Sequence, residues 1–118
     1  MTKWPAVTTL FLTGFLLPVF AGSPKVDASG DMQRIGLFAI DRTEVTIGAF
    51  ARFSAATGFV SKAERSGGGL VYAAGWVQQA GWTWHTPFGR RGVADEPAAH
   101  ITFDEAQTYC RWAGKCLP

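Results

Sequence analysis

The chain has 118 residues, 47% of them hydrophobic and 14% aromatic, with 11 basic and 9 acidic side chains and two cysteines. This near-neutral balance gives no electrostatic footprint for nucleic acid. Arg90-Arg91, the one basic pair, is too short for a phosphate track.

Met1 to Ala21 reads as a secretory signal peptide. Lys3 supplies the positive start, Val7 to Leu17 the apolar run, and Val19-Phe20-Ala21 the small residues before cleavage. The competing reading is a membrane anchor, but the run is short, is interrupted by Gly14 and Pro18, and lacks a basic stop. Export to the periplasm or medium without stable membrane insertion is therefore expected, with cleavage after Ala21. That leaves Gly22–Pro118, 97 residues with ten basic and nine acidic side chains, enough for one small domain.

Residues 22–34 are expected to be flexible, because Gly22 to Asp31 is rich in Gly, Ser, Pro and Asp. The domain proper is placed at 35–118. Leu37 to Ile40 suits a short strand with Phe38 and Ile40 on one face, and Asp41-Arg42 marks a turn. Thr46 caps a helix whose apolar side is Ile47, Phe50, Ala51 and Ser54, widened by Phe53 and stopped at Thr57-Gly58. Gly48 costs this helix about 1 kcal/mol relative to Ala.

Gly67-Gly68-Gly69 lacks the Lys-Ser/Thr and the strand-to-helix pattern of a phosphate loop, and reads as a surface turn. Leu70-Val71-Tyr72 suits a strand, and a tryptophan-rich loop with Trp76, Trp82 and Trp84 follows. These three indoles either wall a ligand groove or pin irregular loops; the second reading is favoured, because loop-rich folds need large anchors.

The last stretch, His100 to Pro118, holds the clearest helix. Thr102-Phe103-Asp104-Glu105 is a capping box, so the helix starts at Phe103. Ala106, Tyr109, Cys110 and Ala113 make its apolar face, Asp104, Glu105 and Arg111 suit the macrodipole, and Gly114 ends it. Adjacent carboxylates point about 100° apart on a helix, so capping explains Asp104 and Glu105 better than acid/base work. His85, His100, Cys110 and Cys116 match no closed zinc pattern, and a cysteine nucleophile with a histidine base is not selected by their spacing. His100 is expected to bond loop backbone. In an oxidising compartment a disulfide persists; the one intrachain pairing, Cys110 to Cys116, would close a small loop across the helix end.

Ala113-Gly114-Lys115-Cys116-Leu117-Pro118 and the residues just before it resemble the formylglycine-generating enzyme (sulfatase-modifying factor) family, whose signature runs roughly H-V-S/T-W/F-x-D/E-A-x-x-Y-C-x-W-A-G-K-R-L-P. Phe38 to Thr46 with Phe50 and Phe53, Thr57-Gly58-Phe59 with Ala63-Glu64 and Gly67-Gly68, and Gly81 to Pro87 ahead of Asp95-Glu96-Pro97 fit the same family in the same order. The resemblance implies an α+β, C-type-lectin-like fold with little regular secondary structure, incomplete in these residues. It implies copper- and oxygen-dependent oxidation of a cysteine to formylglycine in a protein or peptide such as a sulfatase, or oxidation of a related substrate. The alternative is a non-catalytic ligand- or protein-binding module on the same scaffold.

The family's copper(I) thiols and calcium ligands lie further toward the C-terminus than Pro118. Neither is carried onto a residue here, so no catalytic, cofactor or metal residue is assigned and the 118 residues alone are expected to be inactive. Where the family has Arg before Leu-Pro this chain has Cys116, and the family's N-terminal strand is expected to be missing. The family position of Cys110 often pairs with a downstream cysteine, which favours unpaired or intermolecular thiols over the local pair. Marginal stability and association through apolar faces such as Phe103 to Ala113 are also expected.

Overall fold

The computed structural model describes residues 31–118, so the expected leader and most of the expected flexible segment lie outside the described residues. Helices and strands are mixed in the order β1 (Met32–Ile35), β2 (Phe38–Asp41), α1 (Ile47–Thr57), α2 (Lys62–Arg65), β3 (Gly68–Tyr72), β4 (Trp76–Ala80) and α3 (Phe103–Trp112). The strands make two separate antiparallel hairpins, β1 with β2 and β3 with β4.

The first hairpin corrects the expectation that regular structure begins at Ile35. Met32 pairs with Asp41 and Ile35 with Phe38, around a two-residue turn with Gly36 at φ 60°. A positive φ at the first central position suits the right-handed strand twist, and glycine adopts it without a Cβ clash. The sequence cue for β1 was weak because Gln33 and Arg34 dilute its apolar pattern.

Helix α1 forms as its caps require. Thr46 Oγ1 accepts the Ala49 amide at 3.2 Å, and Gly58 turns the chain left-handed at φ 69° while its amide donates to Ser54 O at 2.9 Å. Ile47, Phe50 and Phe53 are buried, and with Trp84 they form the core. Phe59, Tyr109 and Trp112 pack around them. Phe50 stacks on Tyr109 at 5.5 Å and tilts against Trp84 at 5.1 Å, while Phe53 meets Trp112 at 5.4 Å. Such pairs add about 0.5–1.5 kcal/mol each beyond their area. The α1–α3 contact is therefore largely aromatic, and Trp112 belongs to it beside Tyr109 of the expected apolar face.

Gly48, read as a weak point, has a packing reason. A Cβ there would lie 3.2 Å from both Cβ and O of Ala94, and its amide donates to Ala94 O at 2.9 Å. The helix thus lies tight against the 94–98 segment.

Two corrections concern the middle of the chain. Gly68 and Gly69 are not a surface turn but the buried start of β3, and Trp76 to Ala80 is strand β4 rather than loop. A Cβ on Gly68 would sit 2.0 Å from Gln79 O, so β3 lies on its partner more closely than a side chain permits. The short α2 was not anticipated. It carries a full capping box, with Ser61 Oγ accepting the Glu64 amide at 3.2 Å and Glu64 Oε2 accepting the Ser61 amide at 2.7 Å.

Helix α3 starts at Phe103 with the expected capping box. It ends in a Schellman turn at Gly114, φ 70°, with the Gly114 amide donating to Arg111 O and the Lys115 amide to Cys110 O. Phe103 is 70% exposed. Among the described residues no helix is long and apolar enough to cross a membrane.

Candidate functional site

A groove of about 400 Å³ opens between the β3–β4 hairpin and the starts of α2 and α3. One wall is the hairpin face carrying Leu70, Trp76 and Gln78, of which Leu70 and Gln78 are direct cross-strand partners. Lys62, Ala63 and Ser66 of α2 and its flank, and His100 to Thr102 ahead of α3, also line it. Trp76 is 72% exposed and meets Tyr72 edge-on at 5.7 Å. It therefore presents a broad apolar surface to the groove.

His100, one of the lining residues, is fixed from several sides. Its backbone sits at φ 56°, rare for a residue with a Cβ. The ring is held by Nε2 against Pro87 O at 2.9 Å and by Trp82 at 5.7 Å. Gly69 makes room for it, since a Cβ there would fall 2.4 Å from His100 Nδ1. The expectation that His100 bonds loop backbone matches this geometry.

The two helix starts that line the groove are fastened by one carboxylate. Glu105 is 7% exposed. Its Oε2 accepts the Thr102 amide at 2.9 Å, its Oε1 accepts the Lys62 amide at 2.5 Å, and Arg65 approaches Oε1 at 3.9 Å. Glu105 was read as a cap of its own helix; the structure shows that it caps α2 as well. Glu64 repeats the pattern. Besides its own cap it accepts the Trp84 indole N–H at 3.0 Å, with His85 Nδ1 3.7 Å away. Burial acts to raise the Glu64 pKa, but the Ser61 amide and hydroxyl, the Trp84 indole and His85 together hold it below the ordinary 4.5. The Ser-x-x-Glu spacing of Ser61 and Glu64 is the sequence signal for this cap.

The three candidate groove tryptophans separate. Trp76 lines the groove, Trp82 is half-buried behind His100 and against Phe88, and Trp84 is core. Of the three, Trp76 is the one that lines the groove described above.

Cys110 and Cys116 lie at the far end of α3. Both are free thiols, Cys110 buried and Cys116 exposed. Burial, and then the Cys116 charge, push the Cys110 thiol above its ordinary pKa. Beside them Lys115 Nζ donates to both oxygens of Asp41 at 2.6 and 2.7 Å, tying the helix end to β2. His85 and His100 belong to other neighbourhoods. Among the described residues no three His, Cys, Asp or Glu side chains gather as a metal site.

The sequence of this chain matches the family model of the sulfatase-modifying factor enzyme 1-like domain over residues 18–118. The chain belongs to this family. Formylglycine-generating enzymes are among its relatives: that of Streptomyces coelicolor is 38% identical, covering 72% of this chain and 34% of the relative. Those of Bos taurus and Thermomonospora curvata are 28% and 33% identical, covering 80% and 78% of this chain and 32% and 38% of themselves. The chain thus spans about a third of the length of the curated relatives it matches.

Calcium needs six to eight oxygen ligands, and among the described residues no three carboxylates gather to supply them. Copper(I) takes thiolates, and the thiols of the described residues are the buried Cys110 and the exposed Cys116.

Proposed function

We propose that this chain is the substrate-facing N-terminal part of an exported oxidase on a C-type-lectin-like scaffold, which converts a cysteine of a protein or peptide such as a sulfatase to formylglycine. Family membership supports the reaction class, and the groove walled by Trp76 is the single observation that supports substrate binding by these residues. An extended peptide lays apolar side chains on Leu70 and Trp76 and meets Lys62, Gln78 and Thr102 with its polar groups. Copper and oxygen chemistry would come from thiols outside this set, so the 118 residues bind substrate without turning it over.

The test is a cysteine-containing sulfatase peptide offered to the 118-residue chain and to its Trp76→Ala variant. An exposed aromatic at a binding hot spot is worth about 2 kcal/mol, so the variant should bind at least about tenfold more weakly, with its unfolding midpoint unchanged. Equal affinity of the two proteins would remove the groove from the reading. Thiol-to-aldehyde conversion of the bound peptide by the full-length protein of the same cells, with copper and oxygen, separates the oxidase from a non-catalytic binding module.

A further inference from the structure

We propose that the groove takes its peptide as a third β-strand, hydrogen-bonded along the outer edge of β3 through the backbone N–H and C=O of Leu70 and Tyr72. This deepens the substrate-binding reading of the groove and rests on it. The β3–β4 ladder fixes which backbone groups are free. The Gly81 amide donates to Gly67 O at 2.9 Å and the Ala73 amide to Gly75 O at 2.8 Å, so hydrogen-bonded pairs bracket the register at both ends. In an antiparallel ladder such pairs alternate with pairs that exchange no bond and aim their N–H and C=O outward. Gly69–Gln79 and Val71–Val77 therefore carry the ladder, and Gly68–Ala80, Leu70–Gln78 and Tyr72–Trp76 face out. The sheet has two strands only. The Gly68 carbonyl is taken by Ser66 Oγ at 3.1 Å and Gln78 Nε2 at 3.2 Å, whereas among the described residues no turn, loop or cap bond reaches the N–H or C=O of Leu70 or Tyr72.

The groove follows this edge rather than that of β4. Strand β3 gives it three consecutive residues, Gly68, Gly69 and Leu70, whereas β4 gives only Trp76 and Gln78, which share one face. Side chains alternate along a strand, so consecutive lining residues, two of them glycines, mean that the β3 backbone itself borders the space. The edge is also bare. Gly68 to Tyr72 holds no charge and no proline, the devices by which sheets block further pairing. What stays open is one N–H and one C=O at every second residue, which another extended backbone matches. Every second side chain of the bound peptide then lies on the face that carries the exposed Leu70 and Trp76.

The experiment uses the full protein and the cysteine-containing sulfatase peptide of the test above, with versions in which one peptide amide at a time is replaced by an ester. An ester keeps the side chains and removes one N–H. Each backbone hydrogen bond lost should weaken binding about fivefold, and the sensitive amides should lie two residues apart with an insensitive one between them. On the protein, Leu70→Pro removes the outward N–H and spares the ladder bonds of Gly69 and Val71, a placement that edge strands accept. It should bind about fivefold more weakly than Leu70→Ala, which keeps the amide; the ester series decides the matter should the proline variant not fold. An ester series without a sensitive amide, sensitive amides side by side, or equal binding by folded Leu70→Pro and Leu70→Ala would each overturn strand pairing. In that case a Trp76→Ala variant that still binds more weakly leaves the groove as a side-chain site, whereas one that binds as well as wild type removes the groove and the strand pairing together. A flat ester series with a wild-type dimer that Leu70→Pro dissociates would overturn it in favour of a second copy of the chain on this edge.

Discussion

Replacing Glu105 with Ala tests how the fold is fastened. The carboxylate accepts two backbone amides, Thr102 at 2.9 Å and Lys62 at 2.5 Å, and is almost wholly buried. Hydrogen bonds to a charged group contribute about 1.5–3 kcal/mol each, and an amide left unpaired in a buried place costs a similar amount. Glu105→Ala should therefore lower stability by about 3–5 kcal/mol, a large share of the roughly 5–15 kcal/mol that holds a domain together. Asp104→Ala is the matched control. It removes an exposed first-turn carboxylate whose helix-dipole contribution is at most about 1 kcal/mol. Glu105→Gln keeps one acceptor and turns a donor toward the other amide, so it should recover no more than about half of the loss. Urea unfolding followed by tryptophan fluorescence reads the difference, since Trp84 and Trp112 sit in or against the core. A Glu105→Ala loss no larger than that of Asp104→Ala would refute the two-helix role.

Gly69→Ala should drive a Cβ into the His100 ring, which the Pro87 carbonyl prevents from moving freely. A loss of about 1–3 kcal/mol is expected in urea unfolding, as for overpacked sites; an unchanged midpoint would mean that the ring yields. The Glu64 carboxyl gives a pH test. Its folded-state pKa is depressed, so its stabilisation is complete above the ordinary 4.5 and drains away as pH falls through the lower folded value. The stability gap between wild type and Glu64→Gln, measured by urea unfolding, should be full at about pH 7 and shrink steadily as the pH is taken below the ordinary 4.5. A gap independent of pH would contradict this.

The helices α1 and α3 were legible because their boundaries are local chemistry. Thr46 and Gly58, and Thr102, Glu105 and Gly114, satisfy or end a helix within four residues of sequence. The β3–β4 hairpin was not, because its reasons are distant. Gly68 and Gly69 read as a turn until Gln79 and His100 are seen against them, and Gln78-Gln79-Ala80 carries little β preference of its own. The groove was half legible: a cluster of tryptophans announced aromatic bulk, but nothing in the spacing of Trp76, Trp82 and Trp84 tells which one is left facing solvent. That choice is made by tertiary partners, Glu64 for the Trp84 indole and His100 for the Trp82 ring.

The two capping-box glutamates show how a fold with so little regular structure is held. Each satisfies its own helix start and then uses its remaining acceptor capacity on a partner far away in sequence, Glu64 on Trp84 and Glu105 on Lys62. A helix of four residues such as α2 has too few internal bonds to stand alone, so its position depends on these borrowed acceptors. Lys62 and Thr102, the two amides that Glu105 joins, are also residues of the groove. The same carboxylate that stabilises the domain therefore holds two residues of the groove in place. Glu105→Ala should therefore weaken peptide binding even at temperatures where the variant is still folded, with Trp76 untouched, whereas Asp104→Ala should leave binding as it is.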